Sequence, residues 1–271
     1  ASCSMRRWTW WRPAVAPEPP QRRGSAAAPP AAIRPAWQGM SAPAQAAALR
    51  RDIALAVAGL LLLLAWDASG ADLPLSRLFA TPQGFVLRHH WLLETVLHDA
   101  AAGVLKAGFV VLGLNVLWPL PLIGAMPRAL RLRWWLLSLL CALAVSLLKR
   151  HSLVSCPWSL AEFGGSAHWL AHGTLAAWRG AGDGGPGGCF PAGHVSNAFA
   201  LVGGALALRP VSARAAQLWL LAVCVIGALL GLTQLLRGAH FLSHSLWTAW
   251  ICWTLSIAVW HGADAAAARR G

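Results

Sequence analysis

Six runs of apolar residues, separated by shorter polar stretches, divide most of the chain. They cover residues 53–66, 100–117, 134–148, 194–208, 218–236 and 241–260. None of the runs alternates apolar and polar positions as a barrel strand does. Several are shorter than the roughly 20 residues of a typical span, but the tryptophans that flank them are typical anchors at a membrane interface. The pattern predicts an all-α, polytopic membrane protein with six transmembrane helices.

The segments outside these runs are polar or rich in small residues. Residues 1–44 are rich in Ala, Pro and Arg, which predicts a disordered basic extension before a membrane domain of residues 45–262. Met40 precedes the first apolar run and is a candidate for the natural start, with residues 1–39 then not translated. Residues 263–271 are predicted to form a cytoplasmic tail. In the long loop 67–99, the stretch 85–97 is expected to lie as an amphipathic helix on the membrane surface.

Composition and charge agree with a membrane protein. Hydrophobic residues make up 57% of the 271 residues and charged residues 11%, and the mean hydropathy is +0.55. The net charge is +13, but the basic residues form no patch with interleaved aromatics, so nucleic acid is not an expected partner. With the N-terminus in the cytoplasm, the inner loops carry more basic residues than the outer loops. The long loops 67–99 and 150–193 are therefore expected to face the periplasm of a bacterial inner membrane.

Three short segments carry candidate chemistry at the outer ends of the predicted helices. They are residues 149–158 with Lys149, Arg150 and Cys156, residues 189–194 with Cys189, Gly193 and His194, and residues 234–244 with Arg237, His240 and His244. On a continuous helix, the spacing of Arg237, His240 and His244 would place them on one face. His194 opens a helix, where free N–H groups favour an anion. Cations and imidazoles at one membrane depth favour a phosphate site with nucleophilic and acid–base chemistry.

The polar residues allow other interpretations besides a phosphate site. A zinc site is disfavoured because no carboxylate or thiol shares the histidine spacing and because Lys and Arg repel a dication, so no metal or cofactor is expected. His168 and His172 form either a ligand pair or part of a solvated loop helix. Lys106 and Lys149 are the only lysines among 22 basic residues. Lys106 either extends to the interface or contacts the substrate.

These segments resemble the type-2 phosphatidic acid phosphatase superfamily, whose signature is Lys-x6-Arg-Pro, Pro-Ser-Gly-His and Ser-Arg-x5-His-x3-Asp. The resemblance covers roughly residues 149–244 and implies a six-helix membrane core. It implies that Lys149 binds the phosphate and that His240 attacks phosphorus to form a phosphohistidine. It also implies that His194 protonates the leaving oxygen.

The sequence departs from that signature at four positions. They are Cys156 for the first-motif Arg, Ala192 for the Ser, Gln234 for the third-motif Arg, and His244 for the Asp. Arg237 lies one helical turn after Gln234, and we expect Arg237, Arg150 and Gly193 to complete the phosphate contacts. The pattern is similar to that of a divergent bacterial branch of the superfamily.

The group that orients the nucleophile is left open by the sequence. His244 is placed to accept a proton from His240, although a neutral base does not stabilise an imidazolium as a carboxylate does. Asp99 and Glu94 are alternative carboxylates for the missing Asp.

Cys156 and Cys189 are predicted to form a disulfide bond. Three of the six cysteines lie inside apolar runs and one belongs to the N-terminal extension. The remaining two share the outer loop, which is expected to face a compartment that oxidises thiols. Two unpaired thiols are the alternative.

Together these features predict a metal-independent lipid phosphatase with its active site at the periplasmic face. Its expected partners are membrane lipids and a lipid phosphate substrate, such as phosphatidate, a polyprenyl diphosphate or lipid A. Phosphoryl transfer between two lipids is one alternative, and a non-catalytic protein that binds lipid phosphate is another. The headgroup and the oligomeric state are left open.

Overall fold

The structure is a computed structural model that describes residues 42–120 and 126–269. The predicted disordered extension lies outside the described residues, apart from residues 42–44, which belong to the first helix. The candidate start Met40 lies outside them as well.

Helices dominate the part of the chain that the structure describes. In chain order the elements are α1 (Ala42–Ser69), α2 (Asp72–Arg77), β1 (Ala80–Thr81), β2 (Gly84–Phe85), α3 (Ala101–Leu117), α4 (Arg128–His151), α5 (Gly193–Phe199), α6 (Gly203–Leu208), α7 (Ala213–Leu236) and α8 (Leu242–Ala268). A π-helix, Leu92–Ala100, leads directly into α3. Short 3-10 turns cover Pro157–Ser159, Ala161–Phe163, Leu175–Ala177 and Ala200–Val202, the last of which joins α5 to α6. The all-α fold class is confirmed.

The long helices are those of a membrane protein. Among the described residues, Leu92–Leu117, Arg128–His151 and Ala213–Leu236 are long and apolar enough to cross a membrane, and Gly193–Leu208 is a shorter apolar helix. Their outer surfaces carry exposed apolar side chains, such as Val104 and Leu143, which are 71% and 56% exposed. Such surfaces suit contact with lipid rather than water. The chain is therefore a polytopic membrane protein, and the count of six spans stays a prediction.

Two boundaries differ from the sequence-based expectation. The predicted surface helix over residues 85–97 is wrong over its first residues, because Gly84 (φ +124°) turns the chain into a hairpin that pairs Ala80 with Phe85 and the helix begins only at about Trp91. The Phe85 ring is then buried, and the π-helix that follows continues into α3. At the other end of the chain, α8 extends into the predicted tail as far as Ala268.

The apolar core lies where α4, α6, α7 and α8 meet. Trp134 is 1% exposed, and its ring meets Trp219 edge-on at 4.8 Å. Gly204 allows this contact, since a Cβ on it would lie 2.5 Å from atoms of both tryptophans. The close packing fixes the helices near the ends opposite to those that carry the three candidate segments.

A buried ion pair holds the same end of the bundle. The carboxylate of Asp52 on α1 is fully buried, and Arg209 donates to both of its oxygens at 2.5 and 2.8 Å. His261 Nε2 lies 3.0 Å from the Oδ2 atom. The side chain of Arg133 similarly pairs with Asp264 at 2.6 Å. These contacts tie α1, α4 and α8 together.

Candidate active site

A cavity of about 460 Å³ brings the three candidate segments together at one end of the helices. We call it the histidine cavity; its lining residues are His98, Asp99, Ala102, Lys106, Lys149, Cys156, Trp158, Gly193, His194, Asn197, Gln234, Ala239 and His240. They come from the π-helix and α3, from the end of α4, from the start of α5, and from the end of α7 with the turn that follows it. Both lysines of the chain line this cavity.

The first and second segments are joined by covalent and backbone contacts. The structure has a disulfide bond between Cys156 and Cys189. Beside it, Gly188 N–H donates to the Ser152 carbonyl at 2.7 Å, and Cys189 N–H donates to the Val154 carbonyl at 2.9 Å. These contacts hold the loop before α5 against the residues that follow α4. They set the position of His194 relative to Lys149.

Asp183 organises the glycine-rich part of the same loop. Its buried carboxylate accepts hydrogen bonds from Ser155 N and Oγ at 2.5 and 2.8 Å and from Gly185 N at 3.0 Å. The Ser155 hydroxyl in turn accepts from Gly187 N at 3.0 Å. The glycine-rich stretch is thus held to the start of the loop by one carboxylate.

The third segment is a turn between two helices rather than one helix. The prediction that Arg237, His240 and His244 share a helical face is wrong, because α7 ends at Leu236 and α8 begins at Leu242. Gly238 makes the turn with φ +70°, and a Cβ there would lie 2.2 Å from the Phe85 ring. His240 is therefore presented by a tight turn.

His240 is held by the two groups next to its Nδ1 atom. This nitrogen lies 3.5 Å from His244 Nδ1 and 3.3 Å from Cys189 Sγ, which leaves Nε2 available for the cavity. Burial, followed by the charge of Lys149, keeps the pKa of His240 well below its ordinary value of 6.5. The imidazole is therefore neutral at pH 7, as a nucleophile must be.

Lys149 and the start of α5 form the cationic part of the cavity. Lys149 is half-buried in the last turn of α4, and its side chain passes over Gly193. A Cβ on Gly193 would lie 3.1 Å from Lys149 Cδ and 3.6 Å from Nζ. The glycine therefore lets the ammonium approach the first turn of α5, where free backbone N–H groups add positive potential. This arrangement suits a phosphate group.

His194 is fixed by the π-helix that precedes α3. Its ring stacks on His98 with centroids 4.3 Å apart, and its Nε2 atom donates to the Leu97 carbonyl at 3.3 Å. The Nδ1 atom of His194 is then the one left for acid–base chemistry. His98 was not singled out from the sequence, because it lies outside the three segments. Its Nδ1 atom is 2.8 Å from Asp99 Oδ1.

Two of the cations that were expected to bind phosphate do not line the cavity. Arg150 is exposed at the end of α4. Arg237 is 4% exposed and donates through Nε to the Arg88 carbonyl and through Nη2 to Glu94, both at 2.9 Å. Arg237 thus anchors the segment before the π-helix to the end of α7. Its charge is compensated by the carboxylate of Glu94.

The positions of the carboxylates indicate which group lies beside His240. Glu94 pairs with Arg237, and Asp99 pairs with His98. Of the three residues considered for the missing Asp, His244 is the one within 3.5 Å of His240. It is completely buried.

The disulfide bond removes one of the potential metal ligands next to His240. Side-chain ligand atoms of Cys189, His240 and His244 lie within 4.8 Å of one another. The sulfur of Cys189 is bonded to Cys156, however, and so offers no thiolate. A second group, Asp67, Asp72 and His172, has the same spacing outside the histidine cavity.

Comparison with known proteins shows the family of the chain. Residues 131–267, half of the chain, match the family model described as the PAP2 superfamily. Among solved structures, the "first transmembrane PAP2 type phosphatidylglycerolphosphate phosphatase from Bacillus subtilis" is similar, with 19% identity and a TM-score of 0.47, over 77% of this chain and 95% of that one. No curated protein matches. The family match contains Lys149, His194 and His240.

Proposed function

The chain belongs to the PAP2 superfamily, and on this premise we propose that it is a membrane-embedded lipid phosphate phosphatase that works through a phosphohistidine on His240. The observation that carries the proposal is the environment of that residue. Its Nδ1 atom is held by His244, and the cavity that it lines also contains Lys149 and His194. A nucleophile, a phosphate-binding cation and an acid thus share one cavity.

In the first step, the lone pair of His240 Nε2 attacks phosphorus, and the bond from phosphorus to the leaving oxygen breaks. His194 enters this step with protons on both ring nitrogens: Nε2–H stays on the Leu97 carbonyl, and the Nδ1 proton is donated to the leaving oxygen. The lipid then leaves in neutral form or, from a diphosphate, as the monophosphate. His240 Nδ1–H faces His244 Nδ1, which keeps the ring oriented.

In the second step, a water molecule attacks the phosphorus of the phosphohistidine. His194 accepts a proton from this water, the bond from phosphorus to Nε2 breaks, and inorganic phosphate is released. His240 regains its lone pair and His194 regains its proton, so that both return to their starting states.

Charge stabilisation comes from Lys149 and from the backbone N–H groups that open α5. Both are fixed before the substrate binds, because Lys149 lies against Gly193 and the loop before α5 is bonded to the loop after α4. Preorganised charges of this kind stabilise the negative charge of a phosphoryl transition state. The proposed mechanism requires no metal ion.

The second lysine bears on the substrate. Lys106 lines the same cavity as Lys149 and is exposed. A substrate with a second anionic group, as in a diphosphate or a doubly phosphorylated headgroup, would use both ammonium groups. We therefore place polyprenyl diphosphates and lipid A-like phosphates ahead of phosphatidate. The charge distribution of the loops supports a cavity that faces the periplasm of a bacterial inner membrane.

A phosphate-release assay on a panel of lipid phosphates in detergent micelles tests the function. We expect release by the wild type, no release by His240→Ala, and acid-labile phosphate labelling of the wild type alone. His151→Ala is the matched control, because His151 is exposed at the end of α4. Binding of the lipids without release would identify a non-catalytic binding protein, and labelling that survives His240→Ala would exclude His240 as the nucleophile.

A further inference from the structure

A second, smaller cavity is lined by His244 but not by His240. Its volume is about 100 Å³. It is lined by Asp67, Asp72, His172 and His244 among polar residues, together with neighbours from the end of α1 and the loop 169–173. We call it the aspartate cavity. It has room for a few water molecules.

Two buried polar atoms that belong to this cavity lack a partner among the described residues. One is His244 Nε2, on a side chain that is 0% exposed, and the other is Asp67 Oδ1. Because His244 Nδ1 faces His240, its Nε2 atom lies on the opposite side of the ring. Buried polar atoms are rarely left unpaired, so a ligand that serves both atoms is expected in the cavity.

The hydrogen-bond chain fixes which of these atoms donates. If His240 attacks through Nε2, its proton lies on Nδ1 and is donated to His244 Nδ1. The proton of neutral His244 must then lie on Nε2. His244 therefore presents a buried donor to a cavity where Asp67 Oδ1 is a buried acceptor.

Asp67 is itself held in place by two donors on its other oxygen. His172 Nε2 lies 3.1 Å from Oδ2, and Trp247 Nε1 donates to the same atom at 2.9 Å. The rings of His172 and His244 meet edge-on at 5.5 Å. Oδ2 is thus occupied, and Oδ1 is the oxygen available to a further donor.

We propose that Asp67 is a positioning residue of the nucleophile, acting through a water molecule that accepts from His244 Nε2–H and donates to Asp67 Oδ1. The inference rests on the proposed function. In the family signature, an Asp stands at the position of His244. Asp67 would supply that carboxylate from behind His244, separated from His240 by one residue and one water molecule. The negative charge of Asp67 stabilises the positive charge that develops on the His240 ring when Nε2 binds phosphorus.

The test compares Asp67→Asn with Asp72→Asn, and kcat is measured per folded protein. Asp72 lines the same cavity, but its oxygens already accept from Trp66 Nε1 and from Ser243 N and Oγ. We expect Asp67→Asn to lower kcat roughly 10- to 100-fold with little change in KM, as for loss of a hydrogen bond to a charged group. Asp72→Asn should keep kcat within about threefold.

The same Asp67→Asn substitution in variants that lack His244 shows whether Asp67 acts through His244. In His244→Asp, a carboxylate replaces the imidazole beside His240, so adding Asp67→Asn should change kcat less than about threefold. His244→Asn is a further background in which the chain is broken, and there too Asp67→Asn should add little.

Three results would overturn the inference. The first is equal loss of kcat from Asp67→Asn in the wild type and in both His244 backgrounds, and the second is unchanged kcat in Asp67→Asn itself. The third is loss of wild-type activity on dialysis against a chelator with recovery on adding a divalent ion, which would place a cation between the two atoms. An inactive wild type, or a fully active His240→Ala, would instead count against the proposed function.

Discussion

Helix α1 carries two aspartates that each lie beside a histidine, Asp52 in its first half and Asp67 near its end, but the two carboxylates are paired to different degrees. At one end, both oxygens of Asp52 are bonded, to Arg209 and His261. At the other end, Asp67 Oδ2 is bonded to His172 and Trp247, whereas Oδ1 has no partner among the described residues. The Asp52 carboxylate is fully paired, whereas Asp67 keeps an unpaired acceptor in a cavity that His244 also lines.

This difference separates a carboxylate with both oxygens paired from one with an oxygen left unpaired. A buried carboxylate with both oxygens bonded stabilises the fold and leaves no acceptor for another group. The residues of the proposed mechanism line the histidine cavity, so we expect substitutions at that end, the proposed functional end, to change activity. Substitutions at the end with Asp52, the structural end, should change stability.

The largest effect is expected at the functional end. His194→Ala should lower kcat roughly 10²- to 10⁴-fold on lipid substrates, since the leaving oxygen then departs without a proton, and less on substrates with good leaving groups. Steady-state kinetics on a lipid phosphate and on an aryl phosphate measure the difference, with His151→Ala as the exposed control. Equal losses on both substrates would contradict an acid role.

Loss of the disulfide bond should lower both stability and activity. The bond closes a ring across a sequence separation of 33 residues, for which chain entropy gives a stabilisation of about 3.7 kcal/mol at most. Replacing both Cys156 and Cys189 by Ser should lower the unfolding free energy by up to this amount and also lower activity. Cys224→Ser, at an exposed unpaired cysteine, is the control. Full thiol labelling of both residues in unreduced wild type would show that the bond is absent.

At the structural end, Asp52→Asn should destabilise without inactivating. Removing one partner of a buried pair costs about 3 kcal/mol, the lower end of the usual range, because Arg209 keeps 21% of its side chain exposed. Unfolding in mixed detergent measures the loss, and kcat per folded protein should be unchanged. A fall in kcat with unchanged stability would contradict a purely structural role of Asp52.

Lys149 tests the electrostatics of the histidine cavity. Lys149→Met removes a charge-assisted contact worth about 1.5–3 kcal/mol, so kcat/KM should fall roughly 10- to 150-fold. The positive charge also lowers the pKa of His240, so its removal raises that pKa and moves the acid limb of kcat/KM to higher pH. Arg150→Met, at the exposed neighbour, should do neither. If the acid limb of kcat/KM does not move, Lys149 does not influence the pKa of His240.

The smallest effect is expected from the second lysine. Lys106→Met should raise KM roughly fivefold for a polyprenyl diphosphate, since an exposed ion pair contributes about 1 kcal/mol. A monophosphate of the same lipid, which lacks the second anionic group, should bind as in the wild type. Identical effects on the two substrates would argue against a role in substrate choice.

The apolar runs predicted where helices lie, but not where they end. Helix α4 starts at Arg128 and α8 reaches Ala268, beyond the apolar positions, because polar residues with good helix propensity continue a helix that packing has already fixed. At Gly238 the chain turns with φ +70° against the Phe85 ring, more than 150 residues earlier, and no local pattern predicts that contact.

The motif residues were easier to predict than their surroundings. Lys149, His194 and His240 were singled out by spacing, and they line one cavity. His98 and Asp67 were not found, because their contacts with His194 and with the space behind His244 arise only in the tertiary structure. His168 and His172 are four residues apart in the sequence, yet His172 is buried beside Asp67 whereas His168 is exposed.

Chain biogenesis depends on the bond between Cys156 and Cys189. While a nascent chain is still exposed to a reducing compartment, both residues remain thiols, and the loops that carry them are joined by backbone hydrogen bonds alone. We expect the position of His194 relative to Lys149 to be less well defined in that state. Oxidation of the two thiols would then be a step of maturation, and chains kept in a reducing compartment should be less active than oxidised ones.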